Sequence, residues 1–283
     1  MDVTNETKEE QKKLWNNLAG RAWVEAQESL DRLFKPFEDL LVESVGANSR
    51  RLVLDVGCGT GSTTLAVARV LGAKGRCVGI DISEPMIAAA QARAEHERNP
   101  ARFICADAQT YNFDSASVEM IMSRFGVMFF DDPVAAFANL RRAARDEAEL
   151  RLITWRSAVE NPFMTTAERA AAPLLPNLPV RRADGPGQFA FADAQRVSNI
   201  LSDSGWTEIV LAPIDVACTF PEKQLIRYFT QLGPVGRILQ ESDDGTRAQI
   251  IEAVRPAFDS YVRGADVEFT AACWIVSARA GSA

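Results

Sequence analysis

One stretch, residues 51–72 (RLVLDVGCGTGSTTLAVARVLG), narrows the folds open to this chain more than any other. A short apolar run meets three glycines spaced two apart, and a helical pattern follows at once. Strand, tight loop and helix in that order form the opening half of a βαβ unit. The alternation then continues. RCVGIDIS reads as a second strand and EPMIAAAQARAEHER as a helix, with Ser83 as its N-cap and Pro85 in its first turn. ARFICADA is a third strand, VEMIMSR opens a fourth, DPVAAFANLRRAAR is helical and AELRLITWRS is a fifth strand. Continuous apolar strands separated by helices predict a parallel sheet covered on both faces, a doubly wound α/β domain.

The flanks differ. Before the first strand, apolar residues recur at helical spacing from Leu30 to Val45, with a break or kink at Pro36. Residues 1–48 are therefore read as an N-terminal helical lid, and 49–283 as the main domain. After Trp155 a stretch carries five of the chain's 13 prolines and looks like an insertion. Helix FADAQRVSNILSDSGW, strand TEIVLAPIDVACTF, two more helical runs and a last strand, VEFTAACWIVSARA, complete the chain. Cap insertions are expected at about 157–190 and 218–266.

The loop itself reads Asp55-Val-Gly57-Cys58-Gly59-Thr-Gly61. Its spacing is not the G-x-G-x-x-G of a dinucleotide site, and no G-K-[ST] follows for a phosphate loop. Asp55 ahead of it would repel a pyrophosphate. Asp81 ends the second strand, where a carboxylate can accept from both hydroxyls of a ribose. Asp107 follows the third. Acids at strand ends also cap helices and solvate loops, but three in succession beside spaced glycines describe a cationic adenosine ligand without phosphates. S-adenosylmethionine has that chemistry.

VLDVGCGTG, GIDISEPMI, ICADAQ and IMSRFGVMFFDDP resemble the class I S-adenosylmethionine-dependent methyltransferases, and are similar to the group of ubiquinone/menaquinone-biosynthesis C-methyltransferases. The resemblance covers about residues 50–156. It implies a Rossmann-like, mostly parallel seven-stranded sheet with S-adenosylmethionine as cofactor. It also implies residue roles. Gly57, Cys58, Gly59 and Gly61 pass under the methionine part, and Asp55 orients the loop and the amino group. Asp81 takes the ribose, Ile82 and Met86 pack on the adenine, and Asp107 and the Ala108 N–H read its edge. Ser123 and Arg124 end the fourth strand beside the reactive methyl.

The segment SRFGVMFF lacks the Asn/Asp-Pro-Pro-aromatic motif of nucleic-acid amino methylation. The net charge of −7 points away from nucleic acid as well. A small, partly apolar acceptor is expected, with Trp15, Trp23, Phe125, Met128 and Phe129 around it. Methyl would pass to an O, N or C nucleophile by in-line displacement at the sulfonium. Two other readings stay open: an acceptor that is a membrane-borne lipid or quinone, or a protein that binds the cofactor without transfer. No catalytic base is assigned. His96, the only histidine, sits at a helix end, and Asp131 and Arg124 are the other groups near the site. Five scattered cysteines predict free thiols and no metal site. The polar N-terminus and the lack of a long apolar run predict a cytoplasmic protein without stable membrane insertion. A homodimer is left open.

Overall fold

A computed structural model describes residues 3–47, 51–179 and 185–281, with side chains from residue 9 onward. Four helices lead: α1 (Val3–Asn16), α2 (Leu18–Glu25), α3 (Gln27–Leu33) and α4 (Lys35–Val45). The break before Pro36 falls where the sequence places it. Proline stands in the first turn of α4, where its missing N–H costs nothing. The alternating part follows as β1 (Leu52–Val56), α5 (Ser62–Leu71), β2 (Arg76–Asp81), α6 (Glu84–Glu97), β3 (Arg102–Cys105), β4 (Val118–Arg124), α7 (Pro133–Ala143) and β5 (Ala144–Trp155). Ser83 caps α6 by accepting from Met86 N. Then come α8 (Thr166–Ala171), α9 (Ala194–Asp203), β6 (Trp206–Pro221), α10 (Leu225–Gln231), α11 (Gly233–Gln240), α12 (Asp244–Val254), β7 (Val262–Arg263) and β8 (Asp266–Ala280).

The strand order is β3-β2-β1-β4-β5-β8-β6. β1 to β5 run parallel, and β8 lies antiparallel between β5 and β6. This is the doubly wound α/β sheet, with one correction to the strand count. The described sheet has eight strands rather than seven. The additional one, β7, is two residues long and pairs with the start of β8. The tight turn between them, with Gly264 at φ +62°, brings two residues into ladder register that no periodicity could announce. β6 runs on to Pro221, and the helices of the segment after it start beyond that residue.

β1 and β4 form the centre. Val53, Met120, Ile121 and Met122 are fully buried. α5 is buried along nearly its whole length, including Ser62, Thr63 and Thr64. The aromatic α3–α4 face packs over the ends of β4 and β5, with Phe37 5.1 Å from Phe125. In the segment after β5, Asn161 is 1% exposed and binds the Ala272 backbone twice: Nδ2 donates to the carbonyl and Oδ1 accepts from the N–H, both at 2.9 Å. All five cysteines are free thiols. Among the described residues no helix is long and apolar enough to cross a membrane, and no cluster of metal-ligating side chains forms.

Candidate functional site

Parallel strands deliver their C-terminal ends to one edge of the sheet, where the crossover loops diverge and leave a crevice. A cavity of about 730 Å³ lies there. That volume is in the upper part of the usual range for small-molecule sites, about 300–1,000 Å³. The ends of β1, β2, β4 and β5 and the loop after β3 all contribute to its wall.

The glycine loop is shaped by two different needs. Gly57, at φ +67°, passes against Gly126 of the loop after β4. A Cβ on it would come 2.5 Å from the Gly126 Cα. A Cβ on Gly61, at φ +85°, would come 2.8 Å from the Phe103 ring. Both are glycines because protein packs against them. Gly59 has nothing nearer than Met86 Sδ at 3.7 Å. Its positive φ and open side leave the backbone bare toward the cavity, which suits a ligand that approaches closely.

The acids are held in place by backbone donors. Asp81 accepts from Gly59 N through Oδ2 at 2.8 Å and from Ser83 N through Oδ1 at 2.9 Å. It joins the glycine loop to the cap of α6, and burial raises its pKa. Each oxygen keeps a lone pair for a ligand hydroxyl. Asp107 accepts from Gln109 N at 2.9 Å and borders the cavity. Ala108, beside it, is fixed by Asn139, which donates to its carbonyl at 3.0 Å. Asp55 is 1% exposed and accepts from Thr64 Oγ1 at 2.6 Å. Burial pushes its carboxyl up to about 7, against the Thr64 bond and the Arg124 charge, which hold it down. Cys58, Ile82 and Met86 lie along the same wall.

Arg124 also reaches the wall. Its guanidinium donates to Phe34 O at 3.3 Å and Ser62 Oγ at 3.2 Å, and burial lowers its pKa. Its neighbour Ser123 turns the other way. It is fully buried, donates to Val56 O at 2.7 Å and accepts from Gly126 N, which ties the β4 loop to β1. Consecutive strand residues point to opposite faces, so one of the pair had to leave the site. His96 is exposed on the last turn of α6, away from the cavity.

The other half of the cavity is aromatic. Trp15, Trp23, Phe125, Met128 and Phe129 all line it. Trp15 stands edge-on to Phe129 at 5.1 Å and to Trp23 at 6.0 Å. Phe125 adopts φ +66°, uncommon for a bulky residue, and stacks on Trp155 at 4.6 Å. Sequence reasoning missed Phe34, Trp155, Phe163, Tyr228 and Phe258, which complete this chamber. They come from four separate segments, and only the aromatic richness of those segments could have hinted at them. α1 is pinned over the rim: Asn16 Nδ2 donates to Ile82 O at 3.0 Å, its Oδ1 accepts from Glu84 N, and Ser83 Oγ donates to Trp15 O at 2.6 Å.

The groups present fit S-adenosylmethionine. A bare backbone cradle at Gly59, an anchored acid for a ribose and a buried acid for an ammonium group lie on one wall.

Comparison with known proteins agrees with this geometry. Residues 53–147 match the family described as a methyltransferase domain. Aklanonic acid methyltransferase from Streptomyces is 32% identical over 125 residues, 42% of this chain and 56% of that protein. Demethylmenaquinone methyltransferase from Renibacterium salmoninarum is 25% identical over 60% of this chain and 72% of that protein. The chain spans about half the length of the first curated relatives it matches. Among solved structures, the YcgJ protein from Bacillus subtilis superposes with a TM-score of 0.57 at 16% identity, covering 87% of this chain and 98% of that one, which bears on fold alone. Glycine loop, strand-end acids and sheet order agree with the match of residues 53–147 to the methyltransferase domain family.

Proposed function

We propose that this chain transfers the methyl group of S-adenosylmethionine to a small, partly apolar acceptor. The observation that carries the reading is the single continuous cavity. The glycine loop with its acids and the aromatic chamber share one space of about 730 Å³, large enough for a cofactor and an acceptor side by side. When bound, the cofactor supplies an electrophilic sulfonium methyl. What the chain adds is position and dryness. Asp81 and the Gly59 backbone fix the adenosine, with Ile82 and Met86 against the base and Asp107 and Ala108 at its edge. Asp55 takes the amino group. The stacked Phe125–Trp155 pair and Met128 hold an apolar acceptor on the methyl side.

In the same reading, α1–α4 act as a lid, and the segments after β5 and β6 act as a cap. α1 brings Trp15 over the cavity and bonds to the β2–α6 loop beside Asp81. A helix docked by three hydrogen bonds can open to admit ligand and close to exclude water.

Titration calorimetry with S-adenosylmethionine, S-adenosylhomocysteine and NADH tests the cofactor. The first two are expected to bind in the micromolar range, and NADH not at all. Asp81→Ala should weaken both by at least ~1.4 kcal/mol, a factor of ten. Release of S-adenosylhomocysteine over a panel of phenolic, carboxylic and enolic acceptors then tests transfer. Tight NADH binding with no binding of the adenosyl compounds would overturn the reading. Binding without release on any acceptor would make the chain a binding protein instead.

A further inference from the structure

The aromatic chamber contains one polar group that the protein satisfies poorly. Tyr228 of α10 lines the cavity, its ring 5.6 Å from Phe163 and 5.3 Å from Phe220. Among the described residues its hydroxyl has one hydrogen-bond partner, Met164 Sδ at 3.4 Å. Met164 lines the cavity as well. A thioether is a weak acceptor, whereas a phenol can donate one strong bond. Buried polar groups in a completed site have full partners, so a phenol resting on sulfur at a cavity wall points to a ligand oxygen that takes its proton's bond.

The surroundings of the phenol restrict that oxygen. Burial pushes the Tyr228 hydroxyl up from its ordinary value, and Cys218 and Glu168 push the same way. The group stays protonated, so it acts as a donor and not as a general base. Glu168 borders the same cavity and disfavours an anion beside the phenol. Arg237 borders the cavity too. The rings and the thioether around the hydroxyl offer an anion no partner, and burying an unpaired charge among them is costly. A neutral oxygen escapes both costs. The walls restrict the rest of the ligand. Phe125 stacks on Trp155 with planes 13° apart, and Phe163 stacks on Phe269 at 3.8 Å with planes 5° apart. Each cavity-lining ring is braced by a second, which suits stacked or edge-on contact with a flat ring.

We propose that the Tyr228 phenol turns from Met164 Sδ to donate to a neutral oxygen on a planar aromatic methyl acceptor packed against Phe125 and Phe163. The assignment rests on the reading of the chamber as the methyl acceptor's part of the cavity. It makes Tyr228 a specificity residue that selects oxygen-bearing rings over bare hydrocarbon ones.

The test uses three probes of similar shape. 2-Acetylnaphthalene carries a neutral oxygen, 2-ethylnaphthalene none, and 2-naphthoate a carboxylate. Each is titrated calorimetrically into the intact chain saturated with S-adenosylhomocysteine, and into Tyr228→Phe and Met164→Leu in the same state. The native chain is expected to prefer the ketone to the hydrocarbon by about threefold to tenfold, the worth of one neutral hydrogen bond, with 2-naphthoate weaker than the ketone. Tyr228→Phe keeps the ring and removes only the hydroxyl, so it should abolish the preference and leave 2-ethylnaphthalene affinity unchanged. Met164→Leu should keep the preference. A preference that survives in Tyr228→Phe, an equal loss for all three probes, or tightest binding of 2-naphthoate would overturn the assignment while the cofactor reading stands. If 2-acetylnaphthalene fails to bind beside S-adenosylhomocysteine, the chamber is not a separate acceptor site and the assignment falls with that reading. If S-adenosylhomocysteine itself does not bind, the cofactor reading fails and takes the assignment with it.

Discussion

Asp55 is the residue whose environment is most at odds with its charge. Its carboxyl is buried beneath the glycine loop and pushed up to about 7, chiefly by desolvation. A raised folded-state pKa means that protonation favours the fold. The contribution is fully present below the unfolded value near 4 and is lost as pH rises through about 7. It amounts to on the order of 4 kcal/mol over that window. Asp81, raised in the same direction by burial, adds to the slope. Urea denaturation of the ligand-free protein should therefore give lower stability at pH 8 than at pH 5.5, and Asp55→Asn should flatten the difference. An unchanged slope in that variant would mean that other groups dominate. Binding runs the opposite way. An ammonium ligand prefers ionised Asp55, so affinity for S-adenosylhomocysteine should rise from pH 6 to pH 8, with a proton released that calorimetry in two buffers can count.

At the scale of elements, two junctions decide how the lid and cap sit. A Cβ on Gly20 of α2 would overlap Trp15 O and come 2.8 Å from Ser83 Oγ. Only glycine lets the α1–α2 corner close on the β2–α6 loop. Gly20→Ala should lift α1 and weaken S-adenosylhomocysteine binding roughly tenfold, while denaturant stability changes little, because the sheet is untouched. Equal loss of stability and affinity would argue that the corner belongs to the core. The other junction is Asn161, whose paired bonds fasten the segment after β5 to β8. Asn161→Ala leaves the buried Ala272 N–H without that side-chain acceptor, while the Ala272 carbonyl keeps its bond from Arg156 N at 3.0 Å. A cost of about 1–3 kcal/mol in urea denaturation is expected.

On the scale of the whole molecule, one cavity couples the lid, the sheet ends and the cap. A ligand that bridges them stabilises the fold by mass action. At a hundredfold excess over its Kd, S-adenosylhomocysteine should contribute about 2.7 kcal/mol, seen as a rise of several degrees in Tm. NADH should leave Tm unchanged. A rise with NADH alone would contradict the way Gly57, Gly59 and Gly61 are spaced for this ligand.

The order of strands and helices through β5, the break before Pro36, the cap at Ser83 and the wall residues Asp55, Gly57, Cys58, Gly59, Asp81, Ile82 and Met86 were legible in the sequence, whereas Gly61 packs on Phe103 rather than lining the wall. Each depends on neighbours within a few positions: glycine dihedrals, capping hydroxyls, apolar period. Other features came only from tertiary structure. β4 is buried on both faces, so its alternation could not tell that Arg124 faces the cavity and Ser123 faces β1. α5 is buried all round, so no helical face marked Thr63 as the side chain turned to the site. The two-residue β7 is paired by a turn rather than by pattern. The aromatic chamber gathers Phe34, Phe125, Trp155, Phe163 and Phe258 across more than two hundred positions. Periodicity carries information over one or two turns of chain. Which distant surfaces meet is decided by packing, and packing exists only once the sheet has formed.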